Sequence, residues 1–241
     1  KNCPYDAETN MPGPGGGMSY PDLIEQDGKY WITETQKTIA RVHPIDATLL
    51  EGLWNQGTVK TVSRKGLVLD LDADAVRTGS AEMPALPNLA EGGGFALDFW
   101  IRCNKPTVSG QMVLDSRDSQ GKGITVTTGD DHTLRIAVDD GPKSAGWSCD
   151  RGLLTPGTWH HVAIIVDGGP KVISMLVDGI LCDGGQDRIY GWARFAPDLG
   201  DVRGSDRLRL GSSFAGELGR LRIYDRYLRT SEAVAHFHAG K

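Results

Sequence analysis

The sequence predicts an all-β fold, and three observations predict it. Glycine is abundant, at 32 of 241 residues, while apolar residues seldom recur at helical spacing; many short strands joined by turns give this pattern. Residues 155–179 read as two strands about a tight turn. Trp159 to Val166 is a β-branched and aromatic run, Asp167-Gly168-Gly169-Pro170 turns on glycine's positive φ, Val172 to Val177 returns, and Asp178-Gly179 turns again. Phe95 to Cys103 alternates, with Phe95, Leu97, Phe99 and Ile101 on one face and Asp98, Trp100 and Arg102 on the other.

The remaining elements follow in order. Residues 1–19 are turn-rich, with Met-Pro-Gly-Pro-Gly-Gly-Gly at 11–17, and read as a loop-like start. Residues 19–35 form a hairpin about Asp27-Gly28, and Thr38 to Val42 adds a short strand. Asp46 N-caps one or two turns of helix to Trp54 that carry Leu49, Leu50 and Leu53 on one face. Residues 55–66 have the polar character of a junction, which divides the chain into 1–57 and 58–241. Leu67 to Leu71 is a strand, and Thr78 to Gly94 reads as a long loop. Strands are expected at Gln111 to Asp115, Gly123 to Thr128, Thr133 to Val138, Arg207 to Gly211 and Ala215 to Tyr224. A helix over 228–238, capped by Thr230 or Ser231, closes the chain.

Composition narrows the partners. The formal net charge of −5 with no basic run argues against nucleic acid. No apolar run approaches the roughly 20 residues of a membrane span. Cys3, Cys103, Cys149 and Cys182 include no CxxC pair, and no histidine spacing suits zinc. Cys149 and Cys182 flank the central hairpin, where a disulfide and two buried thiols are equally open readings. The start at Lys1-Asn2-Cys3, without Met or an apolar leader, reads as part of a longer protein.

The order FALDFWIR (95–102), TWHHVA (158–163), VDG (177–179), LRLG (208–211) and GELGRLRIYDRYL (216–228) resembles the laminin-G-like domains of the concanavalin A-like lectin/glucanase superfamily. The resemblance implies a jelly-roll β-sandwich of two antiparallel sheets, preceded by a short hairpin and helix. Tyr20-Pro21-Asp22-Leu23, followed by the Asp27-Gly28 turn, resembles the last blade of sialidase-like BNR-repeat β-propellers. That likeness puts Tyr20 where sialidases carry a tyrosine nucleophile, which needs a carboxylate to take its proton and arginines to hold an anionic substrate. The bland alternative is that Tyr20 packs a hairpin end.

Candidate chemistry is sparse in the sandwich itself. Superfamily glycanases carry Glu-x-Asp-x-x-Glu on one strand, and retaining hydrolysis needs two carboxyls about 5 Å apart; Glu217 stands alone. Asp70-Leu-Asp72-Ala-Asp74 opens like an EF-hand but has Ala75 and Ala81 where the loop needs glycine and glutamate. Laminin-G-like domains can hold a structural calcium ion at the terminal strand, but Gly219 and Arg220 replace the expected acids. Asp98, Asp167 and Asp178 remain as oxygen ligands for one. His160 and His161 point to opposite strand faces and cannot chelate one metal together; one is expected under a loop and the other at solvent or a partner. No metal ligand set is assigned.

Sugar binding is the better-supported chemistry. Trp147, Tyr190 and Trp192 lie in glycine-rich stretches read as loops, with Asp187 and Arg188 close by. Aromatic faces stack on pyranose C–H faces, and charged groups bond hydroxyls. The contrary expectation is that Trp192 and Phe195 plug the open edge of the sandwich. The leading reading is a carbohydrate-binding or substrate-positioning module, not itself catalytic, of a secreted or periplasmic sialidase-like glycoside hydrolase. Its partners are a glycan or polysaccharide and the propeller absent from this chain. Completion of an active site through Tyr20, and a sandwich that only stabilises the propeller, are the alternatives.

Overall fold

A computed structural model describes residues 19–36 and 39–241, the side chains of 19, 20, 35, 36 and 39 excepted. Cys3, the glycine-rich stretch at 11–17 and the side chain of Tyr20 thus lie outside the described residues. The chain divides into two compact units, Lys1–Gln56 and Gly57–Lys241. The first is an antiparallel meander of β1 (Ser19–Gln26), β2 (Lys29–Gln36) and β3 (Ile39–Pro44), followed by helix α1 (Ala47–Trp54). Asp27 and Gly28 both have positive φ, as a type I′ hairpin turn demands. The Asp46 carboxylate accepts the Thr48 N–H at 2.9 Å and caps α1.

The second unit is a jelly-roll sandwich. Its chain runs β4 (Leu67–Leu71), α2 (Ala73–Val76), β5 (Ser80–Glu82), β6 (Gly94–Cys103), β7 (Met112–Asp115), β8 (Gly123–Thr128), β9 (Leu134–Asp139) and β10 (Ser144–Ser148). It continues through β11 (Trp159–Asp167), β12 (Val172–Val177), β13 (Ile180–Leu181), β14 (Ala193–Arg194), β15 (Arg207–Leu210), β16 (Gly216–Tyr224) and helix α3 (Thr230–Ala239). One sheet has the order β10-β9-β8-β7-β15-β5; the other runs β13-β12-β11-β6-β16-β4, with β14 also on β12. Phe95, Leu97, Phe99 and Ile101 face the other sheet in the main core with Ile136, Val126 and Leu221. The opposite face of β6 is buried as well, because α3 lies on it: Ala96, Ala163, Leu176 and Tyr224 pack with Ala233 and Val234.

Several expectations change here. The 78–94 stretch contains β5, paired to β15 through Ala81 and Leu208. Trp147 stands on strand β10 opposite Ile136, not in a loop. At the central hairpin the positive φ falls on Lys171, whereas Gly168 serves close approach: a Cβ there would lie 1.8 Å from the Gly93 carbonyl oxygen. Neither Thr230 nor Ser231 caps α3. The helix starts at Thr230, and the Glu232 carboxylate reaches back to the Arg229 N–H at 2.9 Å.

The fully buried Asp98 joins helix to sheet. Its carboxylate takes hydrogen bonds from Arg222 Nη1 on β16, His161 Nε2 on β11 and His236 Nδ1 on α3, each at 2.9 Å. His236 Nε2 accepts the Ser63 N–H at 2.9 Å, which puts the ring proton on Nδ1, toward Asp98. Burial would raise the Asp98 pKa, but the bonds from His161 and His236 outweigh it and hold the carboxyl well below its usual range. Of the two fates expected for the second of the paired histidines, solvent or a partner, the partner holds for both, since His160 and His161 are buried. His160 bonds Asp178 at 2.7 Å and accepts the Thr155 N–H at 2.9 Å.

Removing one partner from a buried, hydrogen-bonded ion pair strands the other charge, so Asp98→Ala is expected to cost about 3–5 kcal/mol in urea unfolding. Acid should act through Glu232 as well. Burial raises its pKa, but bonds from Arg226 and the Arg229 N–H win and set it at about 2, against an ordinary 4.5. A carboxyl depressed on folding stabilises above its unfolded pKa and loses that contribution as pH falls toward the folded one. Thermal midpoints should therefore drop between pH 4.5 and pH 2. Glu232→Gln should remove roughly 3 kcal/mol of that pH dependence.

Candidate functional site

The site forms beside β10, the edge strand of its sheet, where the segment that follows β12 crosses to it. Strands β13 and β14 both lie on β12, at Val177 and Leu176 and at Val172 and Ile173. The intervening segment, 182–192, starts and ends on one sheet and reaches across to the other. Gly184 has φ +97°, and a Cβ there would lie 2.8 Å from the Arg188 carbonyl oxygen, so only glycine allows this tight fold. Arg188 N–H closes the loop onto Gly184 O at 3.1 Å.

Arg188 fastens the loop to β10. Its Nη1 donates to Ser148 O at 2.8 Å, its Nη2 meets the Asp150 carboxylate, and its guanidinium carbon stands 3.9 Å from the centre of the Trp147 ring. Gly184 N–H donates to the same Asp150 at 3.1 Å. Arg151 lies between Asp131 and Asp187, at 3.6 and 3.5 Å. Together these groups enclose a cavity of about 600 Å³.

The cavity opens over the outer face of β8, β9 and β10. Leu134, Ile136 and Val138 are buried in the core, whereas Arg135 is exposed. Register sets Ser148, Arg135 and Thr127 in one row. Gly146 keeps the neighbouring position bare; a Cβ on it would lie 2.9 Å from an Arg135 guanidinium nitrogen. Hydroxyls, three guanidiniums and four carboxylates (Asp130, Asp131, Asp150, Asp187) therefore share one wall. Cys149 also lines it, but burial pushes its thiol up to about 11, so it is no nucleophile at neutral pH.

Of the residues the sequence singled out, Trp147, Asp187 and Arg188 line this cavity. Trp147 offers no free stacking face on the side Arg188 covers, and its Nε1 is enclosed without a partner. Tyr190 and Trp192 form a separate pair, ring centres 5.3 Å apart, 58% and 45% exposed. Phe195 is buried in the main core at 3% exposure, whereas Trp192 stands exposed. Sequence reasoning missed Arg135, Arg151 and Asp150; the alternation of 133–138 already sets Arg135 opposite to Leu134 and Ile136.

The calcium ligands expected from the sequence are engaged elsewhere. Asp98 is filled by three nitrogen donors, and Asp178 bonds His160 and the His161 N–H. Asp167 bonds the Gly169 N–H, and burial raises its pKa. Asp70 is held bidentately by Arg220, and Asp72 caps α2. Among the described residues no cluster of three or more His, Cys, Asp or Glu side chains could hold a metal, and no helix is long and apolar enough to cross a membrane. Cys149 and Cys182 stand as free thiols rather than a disulfide.

A family model described as the concanavalin A-like lectin/glucanases superfamily, laminin-G type, matches residues 74–234. No curated protein matches the chain in sequence. Among solved structures, the botulinum neurotoxin serotype D binding domain superposes with a TM-score of 0.52 at 12% identity, over 67% of this chain and 40% of that one. This chain thus spans well under half of that structure. The CBM40 of the Ruminococcus gnavus IT-sialidase, bound to α2,3 sialyllactose, gives 0.48 at 14% identity over 70% and 98%. A SAP-like pentraxin from Limulus polyphemus gives 0.47 at 16% over 73% and 77%.

The Arg188 tether should control the order of the loop. Arg188→Ala removes hydrogen bonds to a carboxylate and a carbonyl, a loss of about 1.5–3 kcal/mol for charge-assisted bonds. Hydrogen exchange across 183–192 is expected to speed at least tenfold while the β6 and β11 amides stay protected. Arg188→Lys should restore little, since it has no planar fork to hold Ser148 O and Asp150 together.

Proposed function

The chain belongs to the concanavalin A-like lectin/glucanase superfamily, and on that footing we propose that its sandwich is a carbohydrate-binding module. One observation carries the reading: a single loop, 182–192, supplies Gly184, Asp187 and Arg188 to the mixed hydroxyl, guanidinium and carboxylate cavity and also bears an exposed aromatic pair. Sugar hydroxyls both donate and accept, so they are matched by alternating cationic donors and anionic acceptors. The apolar C–H face of the next ring stacks on an aromatic side chain. Arg135, Ser148 and Thr127 would receive one sugar. Tyr190 and Trp192 would hold its neighbour, and Asp187 and Arg188 would join the two positions.

The finer reading is that this module positions glycans for an exported sialidase-like glycoside hydrolase. Residues 1–57 would then supply the last blade of its propeller, and Tyr20 its nucleophile. The β1–β2–β3 meander with its Asp27-Gly28 turn is compatible with such a blade.

The test is a glycan array with the full chain, followed by calorimetry on the best ligand. Trp192→Ala should weaken binding about three- to tenfold and Trp192→Phe much less, as loss of a stacking face predicts. Arg135→Ala should also weaken it. A folded protein that binds no glycan on the array would end this reading.

A further inference from the structure

A second cavity, of about 550 Å³, opens elsewhere on the sandwich, between α2 and the β15–β16 connection. Its character differs from the first. Buried Val76, Leu210 and Leu218 contribute apolar surface with no side-chain hydrogen-bonding group, and Trp159 and Phe214 add two aromatic rings. Those three aliphatic side chains offer a sugar's hydroxyls no replacement for the water lost against them.

The charged groups at this cavity decide what kind of apolar body fits. Arg77, Arg209 and Lys241 line it against a single carboxylate, Glu217. Three of these four are already engaged: Arg77 with Asp74, Arg209 with Asp115 at 3.0 Å, and Glu217 with Arg102. Lys241 makes no close ion pair among the described residues; the Glu217 carboxylate, turned to Arg102, acts on it only at longer range. Its ammonium lies 3.2 Å from the centre of the Trp159 ring, which the Arg102 guanidinium also approaches at 5.2 Å.

Two glycines create this arrangement. Gly240, with φ +84°, follows α3 in the left-handed region, just before Lys241. Gly219 sits in the bulged stretch of β16, where a Cβ would lie 2.6 Å from Lys241 Cε and 3.2 Å from the Trp159 ring. This is the position at which the family resemblance leads one to expect an aspartate. Its replacement by glycine makes room for the ammonium and the indole.

We propose that this cavity is a second binding site, for a small organic acid. Its apolar body seats against Val76, Leu210 and Leu218 between Trp159 and Phe214, and its carboxylate pairs with the Lys241 ammonium. An organic cation is disfavoured by the excess of positive charge, and a neutral amphiphile gives the ammonium no close ion pair beyond the distant, shared Glu217.

Octanoate and its neutral counterpart 1-octanol are the probes, titrated calorimetrically into the full chain. Octanoate should bind more tightly than 1-octanol. Lys241→Gln should weaken octanoate about fivefold, the scale of one partly desolvated charge contact, and leave 1-octanol unchanged. Ala73→Trp, which fills the cavity from the short α2, should abolish both, with the thermal midpoint checking that the variant is folded. The proposal is overturned if octanoate does not bind at millimolar concentration, if the two probes bind equally and Lys241→Gln changes neither, or if folded Ala73→Trp still binds octanoate.

Discussion

A single carboxylate, that of Asp98, fixes how the last helix meets the sandwich. It lies on the face of β6 turned away from the main core, in a position that is buried only because α3 covers it. An ionised group there is tolerated because three nitrogens from three separate elements meet it. Each of those elements is thereby set in register with β6. Arg222 fixes β16, His161 fixes β11 and His236 fixes α3. Through the Ser63 N–H on His236 the same network extends to the segment that enters the sandwich. Apolar burial drives the two sheets together, but it is indifferent to small shifts. The directional bonds to Asp98 are not.

The sequence made the architecture readable and the site only partly so, for physical reasons. Period-two alternation in Phe95 to Cys103 identified an inward face, and Asp178-Gly179 identified a turn whose two residues both have positive φ. Strand β10 was hidden because Ser144, Ala145, Gly146 and Ser148 are small, and small residues carry little hydrophobic contrast. Strands β5, β13 and β14 have three, two and two residues, too few for any periodicity to register. The burial of His161 could not be seen from its own strand, since it depends on a helix some 70 positions later in the chain. Local pattern says which face a side chain takes; only tertiary structure says what lies against that face.

The same distinction explains the 182–192 loop. Asp187, Arg188, Tyr190 and Trp192 drew attention by residue type, and the fold divides them between two tasks. Arg188 spends its donors on Ser148 O and Asp150 and its flat face on Trp147, so it builds the wall. Tyr190 and Trp192 remain exposed beyond it. A loop of this kind can vary at its exposed tip while its anchor stays constant, because the anchor is made of backbone carbonyls, one carboxylate and one guanidinium rather than of the tip itself.

The three free thiols of the sandwich have a consequence of another kind. Cys103, Cys149 and Cys182 are all buried, and burial raises every one of their pKa values, to about 11 for Cys149 and about 12 for Cys182. Thiol exchange and oxidation proceed through the thiolate, so at neutral pH the closed protein offers these reactions almost nothing. The sandwich is therefore chemically indifferent to the redox state of its surroundings as long as it stays shut. A thiol reagent in solution would mark these three thiols only in molecules that open, and the rate of their labelling would measure how often that happens.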